Sequence, residues 1–149
     1  MKQSEQAALI AQIPVFSSLP HPELVRLAEM LQEREFAAGA VLLQEGERDD
    51  HFYILLEGEA EVIKALGTSD ERLLALRARG AIFGEMSLFN PQGRHTASVR
   101  ARTAARALEM TRQDFDALLH RRPTLAYDMV REMSRRLEDT ENATIIDLR

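Results

Sequence analysis

The residues able to do chemistry in this 149-residue chain gather between Phe83 and Val99. An apolar run, Ala81-Ile82-Phe83, stops at Gly84. Glu85-Met86-Ser87-Leu88-Phe89 reads as one amphipathic helical turn, Asn90-Pro91-Gln92-Gly93 as a tight turn, and Arg94-His95 lead into Thr96-Ala97-Ser98-Val99. Glycine at 84 allows positive φ or close approach of the backbone to a ligand. The first N–H groups of a helical turn lack intrahelical acceptors and suit an anion. The Glu85 carboxylate can accept from sugar hydroxyls, and Arg94 or His95 adds positive charge to the same loop. Free amides, one acid and one base within a dozen residues suit a small phosphorylated sugar. The same residues also fit a plain helical turn between two strands with charges on its surface.

The flanking sequence must position that loop. Residues 4–12 read as a short helix capped by Ser4 and broken at Pro14, with Val15-Phe16 as an apolar plug. Leu24, Leu27, Ala28 and Leu31 recur at helical spacing, which predicts a second helix from Glu23 to about Leu31. From residue 33 the period becomes that of strands. Glu35-Phe36, Val41-Leu43, His51-Leu56, Ala60-Lys64, Arg72-Leu76, Thr96-Arg102 and Ala105-Met110 are the expected segments. Glu57-Gly58-Glu59 reads as a hairpin signal and Gly67-Thr68-Ser69-Asp70 as another turn. Thr111-x-x-Asp114 resembles a capping box opening a helix through about His120, and Pro123 opens a longer one carrying Met129, Val130, Met133 and Leu137. Short strands between glycine turns at close spacing indicate a closed or double-sheet β architecture.

Composition narrows the function classes. With 45% hydrophobic and 29% charged residues the chain is of ordinary globular type, and its length allows one domain with a real core. The absence of cysteine removes disulfides, thiolate metal sites and a cysteine nucleophile. Residues 1–93 hold 8 Lys/Arg against 15 Asp/Glu, a charge of −7, whereas 94–149 hold 11 against 9, a charge of +2. The overall acidic balance argues against nucleic acid binding by the chain as a whole. No stretch approaches the roughly 18 apolar residues of a membrane span. The N-terminus shows neither a long apolar core nor a small-residue cleavage site, so the expected location is cytoplasmic.

Three stretches in order carry a family resemblance. Pro14-Val15-Phe16-Ser17-Ser18-Leu19-Pro20 with Leu24 is the first. Glu45-Gly46-x-x-x-Asp50-x-Phe52-Tyr53-Ile54-x-x-x-Gly58-x-Ala60-x-Val62 is the second. Phe83-Gly84-Glu85-Met86-Ser87-Leu88 followed by Thr96-Ala97-Ser98-Val99 is the third. Together they resemble the cyclic nucleotide-binding domain family, which includes catabolite-activator-type regulators, protein kinase A regulatory subunits and nucleotide-gated channels. The resemblance covers nearly the whole chain. It implies a mainly β fold with flanking helices: a double-stranded β-helix, or jelly roll, of about eight strands, with N-terminal helices and a C-terminal two-helix segment. The implied division is 1–32 helices, 33–110 β roll and 111–149 C-terminal helices, all in one domain.

The resemblance further implies a phosphate-binding cassette made of Phe83, Gly84, Glu85, Met86, Ser87, Arg94, His95, Thr96 and Ala97. In the family, the glycine and its successors donate backbone N–H groups, the glutamate takes the ribose 2′-hydroxyl, and an arginine pairs with the cyclic phosphate. That arginine stands immediately before a small-residue pair. Here His95 holds this position before Thr96-Ala97, and Arg94 lies one residue earlier. A shift of one on a strand reverses side-chain direction. The register that keeps Ala97, Val99 and Ala101 on the core face is favoured, and it places His95 toward the phosphate with Arg94 reaching in from the loop. Arginine offers a permanently charged planar fork, while histidine is largely neutral near pH 7.

No catalytic residue is expected, since the chain lacks a Gly-x-Ser-x-Gly elbow, a Walker loop and a His-Glu-x-x-His pair. His21, His51 and His120 lack cluster spacing, so no metal is expected either, and no cofactor is required. Phe16, Phe36, Phe52 and Tyr53 read as core. The expected function is a regulatory sensor of a small ligand, cAMP, cGMP or another small anion, which relays occupancy through its C-terminal helix to a partner, a fused output or a second copy. The alternative is a degenerate fold with a weak, different or absent ligand, acting as a dimerisation or protein-interaction module. No DNA binding by this chain alone and no membrane association are expected.

Overall fold

The computed structural model describes residues 3–13, 16–17, 19–48, 51–84, 92–128, 131 and 134–135. Two helices come first, α1 (Gln3–Ala11) and α2 (His21–Met30). Eight strands follow among the described residues: β1 (Gln32–Phe36), β2 (Val41–Leu43), β3 (His51–Glu57), β4 (Ala60–Lys64), β5 (Arg72–Arg77), β6 (Ile82–Phe83), β7 (Ser98–Ala101) and β8 (Ala105–Thr111). Helix α3 (Arg112–Arg121) closes the roll, and residues 124–128 are again helical. The strands form two four-stranded sheets, β1-β8-β3-β6 and β2-β7-β4-β5, with every pairing antiparallel. This is the expected jelly roll with flanking helices.

The β3 sequence explains the layering. Phe52, Ile54 and Leu56 point to the helical side of the first sheet, while Tyr53 and Leu55 point into the roll. A strand buried on both faces reads as a continuous apolar run rather than an alternating one. The helical side joins Ile10, Phe16, Leu27, Phe115 and Leu118 to Phe52, Leu108 and Met110, all at most 1% exposed. Phe52 and Phe115 meet edge-to-face at 5.1 Å between ring centroids, a favoured aromatic geometry. The interior between the sheets is lined by Leu42, Leu43, Phe83 and Val99 with four alanines, Ala60, Ala101, Ala105 and Ala107. Phe36 is half-buried and packs edge-to-face on Tyr53, so the four aromatics read as core do serve the core.

Several local expectations are corrected. Glu57-Gly58-Glu59 is not a hairpin, because β3 and β4 belong to different sheets. It is a corner by which the chain changes sheet, with Gly58 at φ 88°. A Cβ there would stand 2.5 Å from the Ala104 carbonyl oxygen, so only glycine fits. Ser4 lies inside α1 rather than before it. Helix α2 starts at His21, two residues before Glu23, since Pro22 in the first turn forfeits no intrahelical hydrogen bond. The strand expected over Thr96–Arg102 contracts to Ser98–Ala101, with bends at 96 and 97. The β4–β5 hairpin around Gly67 forms as expected, and Thr111 Oγ1 accepts from Asp114 N at 3.2 Å at the start of α3. In the last helix Leu125 is buried at 1% exposure, while Met129, Val130, Met133 and Leu137 lie outside the described residues.

Candidate functional site

The loop between β6 and β7 is fixed at both ends, and each end is held by a different sheet. At its start, Phe83 is buried and pairs with Tyr53 of β3. Gly84 follows at φ 94°, and a Cβ on it would meet the His51 carbonyl oxygen at 3.1 Å and the Phe52 Cα at 3.2 Å. The glycine is therefore required by the protein's own backbone as well as by the left-handed turn. Glu85, Met86 and Ser87, the rest of the expected amide cluster, lie outside the described residues.

At its end, the loop runs antiparallel to the segment after β2. Arg94 bridges to Arg48. His95 N donates to the Glu47 carbonyl at 3.1 Å, Gly46 N donates to the His95 carbonyl at 2.9 Å, and Arg94 Nη1 donates to the Gly46 carbonyl at 2.7 Å. His95 is 5% exposed, whereas Arg94 and Thr96 are exposed and Ala97 is half-buried. His95 is thus buried, as Val99 and Ala101 are, and Arg94 is exposed with its guanidinium on the Gly46 carbonyl.

Residues 44–48 are held in turn by the side chains of Ser98, Glu45 and Lys64. Ser98 is fully buried, and its Oγ accepts from Glu45 N at 2.9 Å and Gln44 Nε2 at 3.5 Å. The Glu45 carboxylate accepts from Ala65 N at 2.9 Å and pairs with Lys64 Nζ at 3.0 Å. Those two contacts, the Ala65 amide first, hold its pKa below the usual carboxylate value. Lys64 Nζ also donates to the Thr96 carbonyl at 2.8 Å. One ion pair on the β4–β5 ribbon therefore ties residues 45 and 96 together. Glu45, Gly46 and Ser98 stand in the stretches that carry the family resemblance, but a polar loop and a serine beside a strand are too common for the sequence to signal these contacts.

Two further basic residues face the loop. A Cβ on Gly93 would lie 3.4 Å from Arg112 Nη1 and 3.9 Å from Arg48 Nε and Nη2. Arg112 is the first residue of α3, so two arginines distant in sequence meet beside Gly93. Among the described residues, no group of three or more His, Cys, Asp or Glu is placed to hold a metal. No helix of the described residues is long and apolar enough to cross a membrane.

An antiparallel two-sheet roll with helices on one sheet and a loop inserted between β6 and β7 is the architecture of the cyclic nucleotide-binding jelly rolls. The structure is similar to that of the Thermus thermophilus catabolite activator protein, with a TM-score of 0.77 and 28% identity over 89% of this chain and 62% of that one. Residues 33–122 match the cyclic nucleotide-binding domain, and the chain belongs to that family. It is 29% identical over 134 residues to a CRP-like cAMP-activated global transcriptional regulator of Mycobacterium tuberculosis, covering 90% of this chain. It is 36% identical over 112 residues to a cAMP-dependent protein kinase regulatory subunit of Emericella nidulans, covering 75% of this chain. The chain spans 59% and 26% of the lengths of these two relatives.

Proposed function

We propose that this chain is a regulatory sensing domain that binds a cyclic nucleotide, cAMP or cGMP, in the 83–97 cassette and relays occupancy through the helix that follows Pro123. The observation that carries this reading is the double anchoring of the cassette inside a domain of this family. Gly84 is pressed on β3 of one sheet, and His95 is hydrogen-bonded to the segment beside β2 of the other. A ligand held by both ends ties the sheets together. In this reading the amides of Gly84 to Ser87 take the phosphate, Glu85 takes the ribose 2′-hydroxyl, His95 faces inward and Arg94 supplies charge from the rim. Residues 1–32, 33–110 and 111–149 act as one unit, and the C-terminal helix is the output, to a fused segment, a partner or a second copy.

Calorimetric titration with cAMP and cGMP tests this. Saturable binding that weakens in Glu85→Ala is expected. Removing one charge-assisted contact of about 1.5–3 kcal/mol weakens binding about tenfold to a hundredfold, so Arg94→Ala against His95→Ala tells which residue reaches the phosphate. Heat indistinguishable from buffer at millimolar nucleotide contradicts the reading. One observation favours the second reading, an interaction module with a degenerate pocket: the Arg94 guanidinium is engaged by the Gly46 carbonyl.

A further inference from the structure

The geometry points to a second anion site, formed by Arg48 and Arg112 over Gly93 and taking a phosphoryl group. The two guanidiniums reach within 3.9 Å of one point, the position a Gly93 side chain would fill. Neither forms an ion pair or hydrogen bond with any described residue, although most other arginines of the roll and its helices are matched to glutamates: Arg34 to Glu109, Arg100 to Glu61, Arg106 to Glu57 and Arg121 to Glu23. The local arrangement is unfavourable without an anion. Arg48 stands cross-strand from Arg94, and like charges directly opposite are destabilising. Arg112 opens α3, where the helix dipole already presents positive charge.

An anion between them would offset both penalties. Planar guanidinium forks match tetrahedral oxyanions, and paired arginines select phosphate over a monovalent carboxylate. The lack of a side chain at Gly93 leaves the space between the forks open. The phosphoryl group would come from a free inorganic phosphate or from the non-cyclic phosphate of a nucleotide. Only Gly93 of this site lies within the 83–97 cassette and neither arginine does, so the site does not rest on the cyclic nucleotide reading.

The test titrates the full chain with inorganic pyrophosphate and, separately, with ATP, following 31P line broadening and heat. Saturable binding of at least one probe is expected. Arg48→Gln and Arg112→Gln should each weaken it about tenfold, the loss of one charge-assisted contact. Arg48→Lys, which keeps the charge but not the fork, should fall between wild type and Arg48→Gln. Glu85→Ala should leave pyrophosphate binding unchanged. Circular dichroism of each variant checks that it folds. Binding of pyrophosphate shows that no nucleoside is needed, and binding of ATP alone assigns a nucleotide; either upholds the site when Arg48→Gln and Arg112→Gln weaken it. No saturation by either probe at tens of millimolar overturns it, as does equal binding by wild type and both glutamine variants. Failure of cAMP to bind would count against the sensor reading and leave this result standing.

Discussion

The two sheets of the roll are built differently, and the cassette is strung between them. The first sheet is covered on both faces, by helices outside and by the second sheet inside, and its centre is Phe52, Ile54, Leu56, Leu108 and Met110. The second sheet has one buried face. Its outer face carries the charged pair Glu61–Arg100, with Glu59–Arg102 at its edge, and β5 exposes Leu73, Leu74 and Leu76 by 43–53%. The start of the cassette rests on the first kind of support, its end on the second. Packing therefore fixes Gly84, whereas polar contacts fix His95. A ligand spanning both ends would borrow rigidity from the apolar side and add it to the polar side.

Substitutions in the two supports should separate accordingly. The largest effect is expected from Phe52→Ala, which removes a fully buried ring from the helical interface of the strand whose backbone supports Gly84. A loss of about 3–5 kcal/mol is expected, read from denaturant unfolding, and a loss near 1 kcal/mol would show that the first sheet is not the stiffer support. Ser98→Ala on the other support should cost less, about 1–3 kcal/mol, because the Glu45 amide loses its acceptor in a partly buried position. Amide exchange at residues 44–47 should quicken in that variant, while that of β3 stays unchanged.

The smallest effect is a charge effect at Glu45. Its folded pKa lies below the ordinary value of 4.5. Its contribution is thus fully present above that value and disappears as pH falls through the folded pKa. Glu45→Gln keeps an acceptor for the Ala65 amide and removes the charge facing Lys64. The unfolding midpoints of wild type and variant should differ by a constant amount from pH 6 to 8 and converge at acid pH. A gap that widens below pH 4.5 would mean the pair does not stabilise the loop.

Much of this division was legible in the sequence, for physical reasons that also mark where legibility ended. Strand segments show because one or both faces must be apolar; the alternation of Ala97, Val99 and Ala101 led to the expectation of His95 inward, and His95 is buried and Arg94 exposed, although the strand itself begins only at Ser98. The corner at Gly58 was misread because a glycine between two strands has the same local signature whether the strands pair or part. Only β3 pairing with β8, and β4 with β7, distinguishes the cases. Arg48 and Arg112 were missed for the same reason. Nothing local joins them to Gly93, and their meeting depends on the Arg48–Arg94 bridge and on where α3 begins. Glu85, Met86 and Ser87 were singled out by motif alone, and their roles rest on the family.

The most direct test of the double-anchored cassette is amide hydrogen exchange with and without saturating cAMP. Slowed exchange is predicted together at residues 83–87 and 94–98, the two ends held by different sheets, with little change in β1 or β5. Exchange that is the same with and without cAMP at both ends would contradict the claim that the cassette binds a nucleotide across the two sheets.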